Sequence, residues 1–258
     1  MDNRRRLLAG SLIKHSVRFN GLFIPPRSLE STLGRYVEAL MANNEDEIYR
    51  VSLCGSAIPL RFRGRYLLVC THHQVAQREL EAISLLTRDG ALSITSGGAR
   101  HFIDRKDSDR YDLMAFDFTE PCAELPYLRE RFFDFREPPP SMMSDSVVAV
   151  VVSGFPFRDQ KYELEEKNHI GLAKRIVTCL LDGQPSDDAM LRLKTVEALD
   201  FHPDGMSGGS AFVIHMVGKE FQAHFAGIVM RGGQQHFHIL KAGVVREFLS
   251  LFVENRQP

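Results

Sequence analysis

The sequence predicts a mostly β protein in two β-rich halves, with a helical segment at each end. Three observations carry that prediction. From Ile48 onward, short segments rich in β-branched and aromatic residues follow one another, with turn residues such as Gly64, Asp89 and Gly90 between them. The run Glu137-Pro138-Pro139-Pro140-Ser141 then breaks the series. Consecutive prolines continue neither a helix nor a central strand, so this run is a connector. Apolar residues recur at helical spacing near the two ends of the chain. Many short strands at roughly even spacing point to barrels or a sandwich.

The first element is a helix over residues 27–43. Ser28 or Ser31 caps it, and Leu29, Leu33, Tyr36, Val37, Leu40 and Met41 recur at helical spacing. Strands are expected over 51–60, 65–70, 91–95 and 113–118. After the connector they are expected over 146–153, 175–181, 190–198, 210–215, 221–229 and 235–240. The chain closes with a helix over 242–253 that puts Val244, Val245, Phe248, Leu249 and Phe252 on one face. The organisation that follows is an N-terminal extension with one helix over 1–46, a first β unit over 47–136, the connector over 137–145, and a second β unit with the C-terminal helix over 146–258.

The chain has 258 residues, 44% hydrophobic and 25% charged, the balance of a globular protein with a real core. Lys and Arg number 32 against 33 Asp and Glu, a net charge of -1, which gives no electrostatic case for a nucleic-acid partner. No apolar run is long enough to span a bilayer, so no membrane partner is expected. The basic start, Arg4-Arg5-Arg6, is followed by a short apolar stretch broken by Gly10, Ser11, Lys14 and His15, which makes a poor signal peptide. Cys54, Cys70, Cys122 and Cys179 form no CxxC pair, and the expectation is reduced thiols in a cytoplasmic protein.

The sharpest chemical signal is Asp204-Gly205-Met206-Ser207-Gly208-Gly209-Ser210. Glycines around a serine let a tight backbone present the hydroxyl and bring N–H groups close to a substrate carbonyl. A serine hydroxyl needs a base. Two histidines, His72 and His73, end the apolar segment Leu67-Leu68-Val69-Cys70-Thr71. Neighbours in a strand point to opposite faces, so the two histidines make a poor metal chelate, and no zinc-type spacing occurs elsewhere. Neither a metal nor an organic cofactor is expected. A carboxylate to orient the imidazole is available in Asp112, at the head of Leu113-Met114-Ala115-Phe116.

The ordered set His73, Asp112 and Ser207 resembles the chymotrypsin-like serine peptidases, most of all their bacterial HtrA-type branch. Val69-Cys70-Thr71-His72-His73 is similar to that family's apolar strand ending in T-A-x-H, with Cys70 and Thr71 at the Thr and Ala places. A second register sets Thr71 on the family's threonine and puts Gln74 at the histidine place, where it cannot act as a base. We take His73, which leaves a complete triad. Asp112-Leu113-Met114-Ala115 resembles D-[IL]-A, and Gly205-Met206-Ser207-Gly208-Gly209-Ser210 resembles G-[DN]-S-G-G-P. Val152-Ser153-Gly154-Phe155-Pro156 resembles a G-[YF]-P segment, and Ala226-Gly227-Ile228-Val229 the later G-[IV]-V strand. Met206 stands where secreted members carry the aspartate that receives a freshly cut N-terminus, so that activation route is expected to be absent.

The resemblance implies two six-stranded antiparallel β-barrels of chymotrypsin type, with the N-terminal helical extension and the C-terminal helix added. It implies a serine endopeptidase acting on a polypeptide: Ser207 as nucleophile, His73 as base, Asp112 orienting it, and the N–H groups of Gly205 and Ser207 as the oxyanion hole. Phe201, six positions ahead of Ser207, falls at the pocket floor, and His202, Met230, Arg231 and Gly232 complete the substrate-binding set. A shallow apolar pocket favouring small or medium apolar residues is expected; the alternative is that His202, His236 or His238 lines it and selects an acidic residue. The competing function is a peptide-binding pseudoprotease or scaffold using the same cleft. A regulatory protein partner through the N-terminal extension is a further expectation.

Overall fold

The computed structural model describes residues 15–102, 108–142, 145–163 and 169–254. The basic run Arg4-Arg5-Arg6 lies outside them. The first described elements are a small hairpin, β1 (Val17–Phe19) and β2 (Leu22–Ile24), followed by a single-turn helix α1 (Leu29–Leu33). The first half then contributes β3 (Glu38–Asn43), β4 (Val51–Phe62), β5 (Arg65–Thr71), β6 (Ile83–Leu86), β7 (Ser93–Thr95), β8 (Ala99–His101) and β9 (Leu113–Asp117). A short helix α2 (Thr119–Glu124) and a two-residue strand β10 (Phe133–Asp134) complete it. These strands pair in the order β7-β6-β3-β4-β5-β9-β8, with β10 beside β4.

The second half holds β11 (Val147–Gly154), a side hairpin β12 (Lys161–Glu163) and β13 (His169–Gly171), then β14 (Arg175–Leu181), β15 (Met190–Thr195), β16 (Ser210–Val217), β17 (Glu220–Gly232) and β18 (His236–Lys241). Its six main strands run β16-β11-β14-β15-β18-β17, and the additional pairing of β16 with β17 closes them into a barrel. The first-half path does not close on itself among the described residues, so one closed six-stranded barrel is present where two were expected. The terminal helix α3 (Ala242–Glu254) buries Val245, Phe248, Leu249 and Phe252.

The alternation of β15 is plain in its burial. Leu191 and Leu193 point into the barrel, while Arg192 and Lys194 point out. The main core crosses both halves: Ile58, Leu67 and Leu113 pack in one cluster with Phe212, Phe225, Ile228 and the inner face of α3. Phe133 and Phe212 meet edge to face across this junction, with ring centroids 5.1 Å apart.

The helix expected over residues 27–43 is a correction. Only Leu29–Leu33 is α-helical, and Glu38–Asn43 is a strand paired with both β4 and β6. The helix stops at Gly34, where a Cβ would stand 2.5 Å from Ile176 Cδ1 on β14. Beyond it Ala39, Leu40, Met41 and Ala42 are buried in succession, on both faces of a central strand. A short apolar run of this kind satisfies either period, and the tertiary pairing decided for the strand.

Candidate functional site

A cleft of about 570 Å³ opens between the two halves, lined among others by His73, Gln74, Asp112, Gly205, Ser207 and Met230. Its first lip is the turn after β5. The register Thr71↔Leu113 between β5 and β9 sets Asp112 beside the residues that follow Thr71. His72 N–H donates to the Asp112 carbonyl at 3.1 Å, and His73 N–H donates to Asp112 Oδ1 at 2.9 Å. The second carboxylate oxygen lies 2.5 Å from His73 Nδ1. An ionised carboxylate only accepts, so Nδ1 supplies the hydrogen of this contact and Nε2 is the ring nitrogen left for other partners. His73 is about half exposed at 52% of its side chain, with its ring at the cleft.

The second lip is the loop before β16. Gly205 has φ +96° and Gly208 φ +77°, values that favour glycine, and there is no room for a side chain at either. A Cβ on Gly208 would stand 2.1 Å from the Ser56 carbonyl oxygen, and one on Gly205 2.7 Å from that of Phe155. Two hydrogen bonds orient the peptides of this loop. The Asp204 carbonyl accepts from Phe157 N–H at 2.8 Å, and the Met206 carbonyl from Gly209 N–H at 2.9 Å. In a planar trans peptide the following N–H points the opposite way. The N–H groups of Gly205 and Ser207 are therefore turned away from those partners, and neither has an acceptor among the described residues. Met206, the residue between them, is fully buried in the apolar core of the second half.

Ser207 Oγ donates to the Met230 carbonyl at 2.9 Å. His73 Nε2 lies 3.4 Å from Thr71 Oγ1, and no hydrogen bond joins Ser207 Oγ to His73 among the described residues. The two lips are nonetheless tied together. Gln74 Nε2 donates to the Ser207 carbonyl at 2.6 Å and to that of Ser56 at 3.3 Å. Its Oε1 accepts from Thr71 N–H at 3.0 Å and from Thr71 Oγ1 at 2.7 Å. Ser56 Oγ donates to the Gly205 carbonyl and accepts from Phe155 N–H, both at 2.8 Å. Gln74 occupies no base position here, because it is a clamp between the lips. Ser56 was not singled out in the sequence: nothing in an apolar strand marks one serine as a cross-link.

Met230, Arg231 and Gly232 line the cleft as expected from sequence, whereas Phe201 and His202 do not. The Phe201 ring packs on the second-half core beneath the Arg175 guanidinium, 5.1 Å from the ring centroid. His202 is exposed and its Nδ1 lies 3.2 Å from Asp204 Oδ2. Pro203 lines the cleft in their place, and the Phe237 ring packs beside Gly232. A Cβ on Gly232 would meet the Phe237 ring at 2.7 Å and Pro203 Cβ at 3.0 Å. His236 and His238 flank the buried Phe237 and sit on the other face of their strand. The remaining wall comes from Leu53, Cys54, Arg78, Asp109 and Phe157. Across the mouth, Arg231 of the second half pairs with Asp109 of the first at 2.5 Å.

No family model matches the chain, and no curated protein matches it. Among solved structures, human heparin binding protein is similar over 87% of this chain and 94% of its own, at 8% sequence identity and a TM-score of 0.54. A mutant of that protein is similar over 87% of this chain and 95% of its own, at 9% identity and a TM-score of 0.52. The VesB protease of Vibrio cholerae is similar over 87% of this chain and 65% of its own, at 8% identity and a TM-score of 0.48. At such identities the likeness to heparin binding protein speaks for the fold alone, and that fold is trypsin-like.

Proposed function

We propose that the chain is a serine endopeptidase that cleaves polypeptides through an acyl-enzyme, as the HtrA-like order of its motifs first indicated. The observation that carries this reading is the convergence on one cleft of an Asp112-bound His73, a glycine-flanked Ser207 and two N–H groups without acceptors. Ser207 Oγ attacks the peptide carbonyl carbon while His73 Nε2 takes its proton. The oxyanion that forms accepts from Gly205 and Ser207 N–H. On collapse, His73 returns the proton to the leaving amine, and the acyl group stays on Ser207. Water then repeats the sequence, losing its proton to His73, and the acid product leaves. Asp112 stabilises the imidazolium throughout. Chemistry requires the Ser207 hydroxyl to turn from the Met230 carbonyl to His73 Nε2. This exchanges one hydrogen bond for another, at a cost on the order of 1 kcal/mol.

Pro203, Met230 and Gly232 line the cleft with Ser207, an apolar setting that suits a small or medium apolar residue before the cut. Dominant cleavage after arginine or lysine in a peptide library would overturn that preference. The second reading is a peptide-binding pseudoprotease, and the bond from Ser207 Oγ to Met230 favours it. Labelling by a fluorophosphonate probe, beside mass spectrometry of a digested peptide library, separates the two. Ser207→Ala is expected to abolish labelling and to lower turnover by on the order of 10³-fold or more, with the fold intact. Undiminished cleavage by the purified variant would refute the nucleophile.

A further inference from the structure

Beside the cleft, the outer face of three adjacent strands carries a row of basic side chains. Arg192 on β15 stands opposite His238 on β18, and His238 stands opposite Arg231 on β17. Directly opposed residues share a face, so these three form a row across the sheet that ends at the cleft wall. Lys194 and His236, opposed to each other one step along the same strands, extend the row into a strip. Arg192, Lys194 and Arg231 are exposed, and both histidines are half-buried. The inward neighbours Leu191, Leu193, Phe237 and Ile239 are buried, so the strip is the outer face of a rigid barrel wall.

Two carboxylates touch the strip, one at each end. Asp182 lies 2.7 Å from Arg192 and 3.4 Å from His236, and Asp109 pairs with Arg231. Lys194 has no ion pair among the described residues. The field at the centre is net positive. Burial and then the nearby Arg231 and Arg192 hold the His238 imidazole below its ordinary range, against a weaker opposite pull from Asp109.

The strip also meets an open strand edge. On its far side β17 pairs with β18, but its pairing with β16 ends at Ser210↔Ile228. The Val229 main chain is taken up by Gly208 and Gly209. From Met230 to Gly232 the near edge faces the cleft, next to the Ser207 hydroxyl. An extended peptide laid on that edge by main-chain hydrogen bonds would pass Ser207 and then run beneath Arg231 onto the strip. The Asp109–Arg231 pair is no barrier, because an exposed ion pair holds weakly and exchanges readily for another carboxylate.

We infer that this strip is a docking surface for an acidic stretch of the polypeptide substrate, placed a few residues from the bond held at Ser207. The inference rests on the cleft being a peptide site, and its test is read by binding rather than turnover.

Ser207→Ala protein is titrated with fluorescein-labelled peptides that share a neutral core. Each peptide carries a block of glutamates, of lysines or of serines, at its N-terminal end or at its C-terminal end. In one of the two placements the glutamate peptide is expected to bind tightest, and to weaken as salt rises from about 0.05 to 0.3 M. Adding Arg192→Gln and Lys194→Glu is expected to weaken that peptide about three- to tenfold and to leave the serine peptide unchanged. Lys194→Glu alone is expected to act in the same direction, and it removes no ion pair of the described structure.

Equal binding of glutamate and serine peptides in both placements overturns the inference. So does a preference for lysine, which would make Asp109 and Asp182 the readers. So does binding of polyphosphate in place of the glutamate peptides, which would make the strip a general polyanion site. The peptidase reading fails separately, if wild-type protein neither takes up the fluorophosphonate nor cleaves the neutral core.

Discussion

Gln74 joins the backbones of Thr71 and Ser207, which belong to different β units. Its amide makes four hydrogen bonds, two to the Thr71 that precedes the histidine turn, one to the Ser207 carbonyl of the opposite lip and one to the Ser56 carbonyl of β4. Gln74→Glu keeps the size but faces a carboxylate oxygen towards the Ser207 and Ser56 carbonyls. The variant is expected to lose about 1–3 kcal/mol of stability at pH 7. The loss should be smaller at pH 5, where a carboxyl pushed up by that environment takes a proton and can donate again. Urea unfolding at the two pH values checks this, and an equal loss at both would speak against the clamp. At this scale His73, Asp112 and Ser207 were legible as motif residues, because each motif is a local string. Phe201 was misplaced for the same reason: counting positions back from Ser207 ignores Pro203, which takes the place beside Gly232 while the Phe201 ring turns to the core.

Among the elements, β3 shows how far the N-terminal region belongs to the fold. It pairs on both sides, with β4 and with β6, and Leu40 and Met41 are wholly buried. Deleting residues 1–43 is therefore expected to give insoluble protein; a soluble product with altered turnover would instead mark the region as regulatory. The β16–β17 pair carries a second consequence. His215 and His224 lie on it with ring centroids 5.9 Å apart, and the Nε2 of each is buried without a hydrogen-bond partner among the described residues. Burial lowers both imidazoles below 6.5, helped in His215 by the charge His224 would carry and opposed in His224 by Glu137. As pH falls below 6.5 the unfolded chain binds protons that the folded chain refuses, so stability declines until the folded groups titrate in turn. The midpoint of thermal unfolding should drop from pH 7.5 to pH 5.5, and His224→Gln should flatten the profile. An unchanged slope in that variant would assign the effect elsewhere. The main strands of the second half were readable one by one, since they are long, rich in β-branched and aromatic residues, and bounded by turn residues. The short pieces β1, β2, β8, β10, β12 and β13 were not, because a strand of two or three residues carries no period.

For the molecule as a whole, the described structure has no disulfide, and Cys54, Cys70, Cys122 and Cys179 are all free and buried. Burial pushes the Cys54 thiol up to about 11 and those of Cys122 and Cys179 to about 12, and Cys70 rises for the same reason. Few thiolates are then present near neutrality, and alkylation of native protein should be slow. Denaturation without reductant should expose four thiols to titration. A count of two or none would show a disulfide that this packing does not contain. The two halves are held by the shared apolar junction and by α3 rather than by covalent links.

Local chemistry alone indicated that the chain is mostly β and that an amphipathic helix lies near its C-terminus, and it singled out the Ser207, His73 and Asp112 that the structure brings to one cleft. These features depend on neighbours within a few positions, where sterics, alternation and glycine content act directly. Distant pairing decided the rest. It made residues 38–43 a strand, closed the second-half barrel and turned Gln74 into a clamp. It also set Phe237 against Gly232 and aligned Arg192, His238 and Arg231 in one row. Each of these outcomes depends on which strand lies beside which, and in what register. That choice minimises the free energy of the whole core, so no window of sequence contains it.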